Sequence, residues 1–299
     1  MTIAKALATV LAACIPITPQ HPPQFDMAIR ATRVTDQVHV LEGAGGNVAV
    51  LVADDGVLLV DDKLAPAAPD VKAALTALTS RPVRFVVNSH WHRDHSGGNE
   101  AMAGDGAVIV AHDNVRKRMS VDGFVAVFGR KTQASPPRAL PVVTFTQDVT
   151  FHLGGEEIAV VHVGAAHTDG DALVRFRRAN VLHMGDCYLN GSFPVIDSVN
   201  GGTFPGLIAA ADAALGQVDA ETRIVPGHGP IASREDLRAW RDMLSTIYER
   251  VRKSAAAGRT LEQVKAERPT KEWDDRFPRS FVTSDHAVEE AYRSATAKR

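Results

Sequence analysis

Short apolar runs separated by glycine turns dominate the first part of the chain, and several of them alternate apolar with polar residues. A period of two predicts β-strands, whereas a continuous apolar run between turns predicts a strand that is buried on both faces. Strands are therefore predicted at residues 38–40, 47–52, 57–60, 83–87 and 108–111. Between them, Val71 and Leu75 share a helical face, which predicts a helix over residues 69–78.

The second half of the chain repeats this organisation. Strands are predicted at residues 149–153, 157–163, 172–176, 181–184 and 223–225, and helices at 204–215, 234–252 and 288–295. Two strand-rich halves, each followed by helices, predict an α/β protein in which two sheets pack face to face with helices outside. Residues 114–141 are basic and then proline-rich, and we interpret them as an insertion or lid.

Composition changes this picture little. Hydrophobic residues make up 45% of the chain and charged residues 23%, as in ordinary soluble globular proteins. The net charge of -2 does not favour a nucleic-acid partner, so a small-molecule substrate is expected, and nothing indicates the oligomeric state. Twelve histidines are the one unusual feature.

The first residues have the character of an export signal. Lys5 precedes an apolar stretch, and the run that ends at Cys14 is typical of a lipoprotein cleavage box, followed by a proline-rich tether. We predict a signal or tether over residues 1–26, a periplasmic or exported location, and contact with a membrane only through a lipid on Cys14. The alternative is an idle cysteine in an unstructured terminus. Residues 27–299 are predicted to form one domain with a C-terminal helical extension.

Four residues able to bind metal ions follow the strand predicted at 83–87 within six positions: His90, His92, Asp94 and His95. If the chain stays extended, side chains two apart point the same way, so His90, His92 and Asp94 would converge. His95 would then face a second position. Imidazole and carboxylate groups suit zinc, and this density of ligands at a strand end predicts a metal site.

Three further candidates follow strand ends in glycine-rich turns: His167, Asp186 and His228. Each turn alone is a weak signal, because such turns are common in ordinary loops. Their order along the chain after the histidine cluster makes the combined pattern a specific indication of a metal site.

The ordered set resembles the metallo-β-lactamase superfamily over residues 38–252. The resemblance implies an αββα sandwich of two mixed β-sheets flanked by helices, with the metals at one edge between the sheets. It also implies a set of ligands: His90, His92 and His167 for a first zinc, Asp94, His95 and His228 for a second, and Asp186 as a bridge. Asp61, at the end of strand 57–60, matches an acidic residue that supports the ligand loop in this family, although it could be an ordinary turn aspartate.

The resemblance implies a hydrolase with two Zn²⁺ ions; iron and manganese remain alternatives. Two ions about 3.5–4 Å apart share a water and lower its pKa toward about 7, which gives a metal-bridging hydroxide at neutral pH. Asp94 would orient that hydroxide as the catalytic residue. Amides, lactams, esters and thioesters all fit this chemistry.

Asp186 and Cys187 stand side by side where one branch of the β-lactamases has a cysteine ligand and most of the superfamily has aspartate. We interpret Asp186 as the ligand and Cys187 as a packing residue near the site. The lysine that the cysteine-type enzymes carry three residues farther on has no counterpart in Leu189 or Asn190. Another branch of β-lactamases uses His95-type ligation without that lysine.

Substrate contacts are predicted at Asn190, Ser192 and Asn200, with basic residues 116–118 reaching over from the lid. A β-lactamase-like activity is the best single prediction. A lactonase and a glyoxalase-II-like thioesterase are the alternatives among hydrolases. An iron-dependent persulfide dioxygenase, or a metal-bearing accessory protein without fast activity, is the alternative from another class.

Overall fold

Fourteen strands and eight α-helices lie within residues 28–277 and 282–297, the part of the chain that the computed structural model describes. The strands are β1 Arg30–Arg33, β2 Val38–Glu42, β3 Val48–Ala53, β4 Gly56–Val60, β5 Val83–Val87, β6 Val108–His112, β7 Gly123–Val125, β8 Arg130–Thr132, β9 Val143–Phe145, β10 Asp148–Leu153, β11 Glu156–His162, β12 Ala172–Phe176, β13 Val181–His183 and β14 Arg223–Val225. The helices are α1 Ala68–Leu78, α2 Arg93–Ser96, α3 Asn99–Gly104, α4 Asp113–Met119, α5 Phe204–Leu215, α6 Arg234–Ala256, α7 Leu261–Ala266 and α8 Ser284–Thr296. Cys14 and the predicted segment 1–26 lie outside the described residues.

The two larger sheets are mixed, as predicted. Seven strands form one sheet in the order β1-β2-β3-β4-β5-β6-β9, antiparallel up to β4 and parallel beyond it. Five strands form the other in the order β10-β11-β12-β13-β14, in which only β13 and β14 run parallel. Parallel neighbours need a crossover connection, and α1 and α3 provide it between β4, β5 and β6.

Strand β4 shows how the layers form. Leu58 and Val60 point into the core between the two sheets, whereas Val57 and Leu59 pack on the opposite side with Val71 of α1. Both faces of the strand are covered, which explains its continuous apolar sequence.

Helices α5, α6 and α8 cover the outer face of the second sheet. Leu207, Leu244 and Val288, one from each helix, are buried in one apolar cluster together with Ile224 of β14. The molecule therefore has four layers in the order helix, sheet, sheet, helix, and the predicted αββα architecture is confirmed. No helix within the described ranges is long and apolar enough to cross a bilayer.

The prediction missed short elements. Strands β1 and β9 and helices α2, α3 and α7 were not predicted, and regular elements were not predicted within residues 114–141, which were interpreted as an insertion or lid. That segment contains most of α4 and a separate hairpin, β7–β8. These elements are three to seven residues long. Such lengths are too short for a periodic pattern to emerge, and tertiary contacts determine their conformation.

Replacing the fully buried Leu244 of α6 with alanine should lower the free energy of unfolding by about 2–5 kcal/mol, because a cavity opens in the outer helical layer. The matched control is Lys253→Ala at an exposed position of the same helix, expected within about 0.5 kcal/mol. Urea denaturation followed by circular dichroism measures both. Equal effects of the two substitutions would contradict this placement of α6.

Candidate metal centre

The candidate ligands lie in loops that follow the carboxyl ends of four strands. Strand β5 leads into the loop with His90, β11 leads to His167, β13 to Asp186 and β14 to His228. The first sheet provides one of these loops and the second sheet provides the other three. The structure brings all seven predicted side chains together at the edge where the two sheets meet.

Four of the seven form a buried group: His90, His92, His167 and Asp186. Their ligand atoms lie within 4.8 Å of one another, and His92 Nδ1 is 2.9 Å from His167 Nε2. The other three, Asp94, His95 and His228, form an adjacent group. In that group His228 Nε2 lies 3.2 Å from His95 Nε2 and 3.1 Å from Asp94 Oδ2.

Asp186 lies between the two groups. Its Oδ2 faces His167 Nε2 at 3.6 Å, and its Oδ1 faces His95 Nε2 at 3.1 Å and His228 Nε2 at 3.5 Å. A Cβ at Gly227 would lie 2.0 Å from Asp186 Oδ1, so only glycine leaves room for the carboxylate there. One oxygen toward each group is the arrangement that the bridging prediction requires.

The path of the ligand loop differs from the prediction. Residues 90–94 were expected to stay extended so that Asp94 joins His90 and His92, but Arg93–Ser96 form the helical turn α2. The turn rotates Asp94 and His95 into the second group, and it places Asp94 where the family resemblance, rather than the strand alternation, puts it.

Asp61 holds the beginning of the ligand loop. Its carboxylate accepts hydrogen bonds from the backbone N–H of Ser89, from Ser89 Oγ and from His95 Nδ1, each at 2.7 Å. Asp61 adopts a left-handed backbone with φ of 65° at the end of β4. The structure thus places Asp61 in the supporting position that was predicted.

Each histidine of the buried group has one ring nitrogen held by the protein, so that the other faces the centre. His167 Nδ1 donates to the carbonyl of Val195 at 2.7 Å, and His90 Nδ1 lies 3.0 Å from Ser89 Oγ. His92 is turned the other way: its Nε2 donates to Asp197 Oδ2 at 2.9 Å, which leaves Nδ1 facing the centre. Such bonds fix the tautomer and orientation of metal-binding histidines.

Asp197 is a residue that the sequence analysis missed. It is buried, lies 105 positions from its partner His92, and follows no recognisable motif. Burial would raise the pKa of Asp197, but the hydrogen bond from His92 and the amide of Asn200 hold that pKa below its ordinary value. The ionised carboxylate must therefore accept from His92 Nε2–H. An aspartate in a mostly apolar stretch, as in Val195-Ile196-Asp197, was the only available signal.

The electrostatics of the centre favour a bound cation. Burial would lower the pKa of His95, yet the negative charges of Asp186, Asp94 and Asp61 raise it well above its ordinary value. His90 shows the opposite effect, because burial and neighbouring histidines hold its pKa well below the usual range and keep the ring neutral. Among the described residues, His90 Nε2 is buried with no hydrogen-bond partner, and the buried Asp186 Oδ1 faces the ring nitrogens of His95 and His228. Buried imidazole nitrogens and ionised carboxylate oxygens that lack a full set of hydrogen bonds are suitable ligands for metal ions.

The three residues predicted to contact substrate are each hydrogen-bonded within the protein, and their contact with a substrate stays a prediction. Asn190 donates to the carbonyl of Pro230 at 3.0 Å, and the buried Ser192 donates to the carbonyl of Phe193 at 2.9 Å. Asn200 is also buried, and its amide group donates to Asp197 Oδ2. None of the three lines the pocket above the centre.

The basic residues predicted to reach over from the lid also have other partners. Arg116 donates to the carbonyl of Pro141, while Arg118 pairs with Asp169 at 2.6 Å and donates to Asn200 Oδ1 at 3.0 Å. These bonds fix α4 against the loops of the metal centre.

Cys187 is buried in the apolar cluster beneath α5 and α6, and it is absent from both groups of candidate ligands. Burial raises the pKa of its thiol well above the ordinary value, so the thiolate that a metal would require is disfavoured. This position agrees with the interpretation of Asp186 as the ligand.

Comparisons with known proteins agree with this architecture. A family model described as the metallo-beta-lactamase superfamily matches residues 41–238. A metallo-beta-lactamase from Pontibacter korlensis has a similar structure, with a TM-score of 0.58 and 20% identity over 73% of this chain and 99% of that chain. The DIM-1 metallo-beta-lactamase gives a TM-score of 0.59 and 16% identity over 73% and 98% of the two chains.

A larger protein shares the fold as well. The stereoselective inverting sec-alkylsulfatase Pisa1 from Pseudomonas sp. gives a TM-score of 0.66 and 17% identity over 89% of this chain. The present chain spans about half the length of that sulfatase, with 50% covered. At these identities the three structures show a common fold.

Replacing Asp197 with alanine should weaken metal binding about 10- to 100-fold, because His92 loses the acceptor that directs Nδ1 toward the centre. Asp197→Asn keeps an acceptor oxygen and should lose less. Competition with a chromophoric chelator measures the affinities, and Asp212→Ala, at an exposed ion pair on α5, is the control. Unchanged affinity in Asp197→Ala would show that this hydrogen bond has no role in holding the metal.

Proposed function

The chain belongs to the metallo-beta-lactamase superfamily, and from this premise we propose that it is a binuclear zinc hydrolase of small molecules that carry a carbonyl group. The fold and the two groups of histidine and aspartate ligands define a metallohydrolase. The observation that carries the proposal is the position of Asp186, with one oxygen toward each group. Two metal ions held by a shared carboxylate are the arrangement found in hydrolases that activate water between metals.

The donor set supports zinc. Five imidazole nitrogens and two carboxylates surround the site, and no thiolate takes part among the described residues. Zinc binds both imidazole nitrogens and carboxylate oxygens, whereas magnesium and calcium prefer oxygen ligands. Iron and manganese share the same ligands, so metal analysis is part of the test.

Zinc ions bound here would lower the pKa of water toward about 7 and polarise the oxygen of the scissile group. The protein's own contribution is orientation. Burial would raise the pKa of Asp94, but His95 and the hydrogen bond from His228 hold it well below the ordinary range. Asp94 and His228 also line the pocket. A carboxylate of such low basicity is suited to accepting a hydrogen bond from the attacking water, not to removing its proton.

A β-lactam is the substrate we propose first. Two β-lactamases share the fold over almost their whole length. The pocket above the centre, about 1120 Å³, is large enough for a drug-sized molecule. Lactones and thioesters need the same activated water and are the next candidates.

A sulfate ester is a second candidate of a different kind. The alkylsulfatase shares the fold over 89% of this chain, more than the 73% shared with either β-lactamase. Hydrolysis of a sulfate ester would need the same activated water: its oxygen bonds to the carbon or to the sulfur, the C–O or S–O bond breaks, and sulfate and the alcohol are released. The two proposals therefore share the metal centre and differ in the bond that is cleaved.

Removing the metal, or removing one ligand, should abolish the activity. Extended dialysis against a chelator should stop turnover, and Zn²⁺ should restore it. His167→Ala should bind about one equivalent of zinc in place of two and should lose about 10³-fold or more in kcat/KM, because the first group loses a ligand. Elemental analysis and steady-state kinetics measure these effects.

The control for this variant is His152→Ala, which removes an exposed histidine on β10 and should leave both metal content and rate unchanged. Near-normal turnover in His167→Ala, or iron as the metal that restores activity, would exclude the proposed zinc hydrolase.

A matched substrate panel should identify the scissile group. On metal-quantified protein, a chromogenic cephalosporin should be hydrolysed faster than an acyl-homoserine lactone, an acyl thioester or a secondary alkyl sulfate. The ranking of kcat/KM decides between the candidates. A preference for the alkyl sulfate would replace the lactam with the second candidate while leaving the metal centre as described.

A further inference from the structure

The pocket above the candidate metal centre is lined by His92, Asp94 and His228, so a molecule that fills it reaches the candidate ligands. Its apolar lining, called the apolar wall below, consists of Leu64, Trp91, Val125 and Phe128. Phe128 keeps 47% of its surface exposed, although it is large and hydrophobic. Apolar surface of this kind, beside polar groups, marks a ligand site.

The cationic lining of the pocket, called the cationic wall below, consists of Arg93, Arg130 and Lys131, and Arg130 pairs across the β7–β8 hairpin with Val125 of the apolar wall. In the described part of the chain, neither Arg130 nor Lys131 forms an ion pair with a carboxylate, although the protein as a whole carries a net charge of -2. The acidic residues of the pocket are already paired. Glu42 lies 3.1 Å from Arg30, and Asp94 lies 3.1 Å from His228. The positive charge of this wall is therefore left for a ligand.

The hairpin β7–β8 holds this wall at a definite position. Arg93, next to the ligand Asp94, donates from its guanidinium to the carbonyl of Gln133. On the other side, Asn200 Nδ2 donates to the carbonyl of Phe124 at 2.9 Å, and the same amide contacts Asp197. The hairpin is thus anchored to the loops of the candidate metal centre on both sides.

We propose that the substrates are amphiphilic anions, with an apolar body against Trp91 and Phe128 and an anionic group, remote from the scissile bond, paired with Arg130 and Lys131. This substrate class rests on the proposed hydrolase function. The apolar wall recognises the body through buried area, and each methylene that is added against it should improve kcat/KM about two- to fourfold until the wall is filled. The cationic wall selects the anionic end and orients the molecule so that the scissile group lies over the metals.

Binding is tested separately from hydrolysis with two fluorescent probes that differ in a single sulfonate. The anionic probe is 8-anilinonaphthalene-1-sulfonate and the neutral probe is N-phenyl-1-naphthylamine. In the zinc-loaded protein, Arg130→Ala combined with Lys131→Ala should raise the Kd of the anionic probe about tenfold and leave that of the neutral probe within about twofold. The control, Arg81→Ala combined with Arg138→Ala, removes the same charge from exposed positions that do not line the pocket.

Hydrolysis is tested with a matched pair of esters of suberic acid. One is the mono-4-nitrophenyl ester, whose far end is a carboxylate, and the other carries a methyl ester at that end. The unaltered enzyme should prefer the anionic ester by about tenfold in kcat/KM, and this preference should fall as salt rises from 0.05 to 0.5 M because exposed charges are screened. The variant at Arg130 and Lys131 should lose the preference and keep its rate on the neutral ester.

The outcomes separate the two proposals. If no substrate is hydrolysed but the anionic probe still binds selectively, the proposed hydrolase function is wrong and the proposed selectivity of the pocket for anions stands. Hydrolysis of both suberate esters at equal rates, or equal Kd changes in the control pair, would overturn the anionic substrate class and leave the hydrolase intact. Loss of the neutral probe in the variant would mean a damaged pocket wall and would also overturn the charge-based inference.

Discussion

Five imidazoles and two carboxylates form two adjacent groups at the edge where the two sheets meet, with the ligand atoms of each group within 4.8 Å of one another and largely away from water. Without a cation this arrangement is unfavourable, because buried donor atoms remain unsatisfied and carboxylates repel one another. The rest of the site can be understood as a means of holding these groups in place. Asp61 fixes His95 and the start of the ligand loop, and Asp197 fixes His92.

The centre requires both sheets. The loop after β5 belongs to the first sheet, while His167, Asp186 and His228 follow strands of the second. The geometry therefore exists only when the apolar faces between the sheets are packed. Metal binding and folding are coupled for the same reason, because an unfolded chain holds no preformed site.

The hairpin β7–β8 links the substrate pocket to the ligand shell. Asn200 contacts both Asp197 and the backbone of Phe124, so the group that orients His92 also anchors the pocket wall. The same element places cations and an aromatic ring around the opening above the metals. In our proposal, substrate selection depends on this hairpin, which contributes none of the candidate metal ligands, so the selectivity can change while the metal centre stays the same.

The local sequence was sufficient to predict several strands and the residue types of the candidate metal site. Strands β5, β12 and β14 have the predicted bounds because each is a short, mainly apolar run between turns. The ligands were recognisable because imidazole and carboxylate groups occur at strand ends in a fixed order, and metal chemistry restricts the residue types there. The preference for Asp186 over Cys187 came from the resemblance to the family, in which most members have aspartate at this turn.

Only the tertiary structure decided which nitrogen of each histidine faces the centre, since that depends on partners such as Asp197, 105 residues from His92. It also decided that Asp94 turns through α2 to the second group, that Asn200 donates to Asp197, and that Arg130 and Lys131 line the pocket. Periodicity reports which face of an element is covered over a few residues. The contacts that orient a polar side chain come from segments distant in sequence, and no local pattern encodes them.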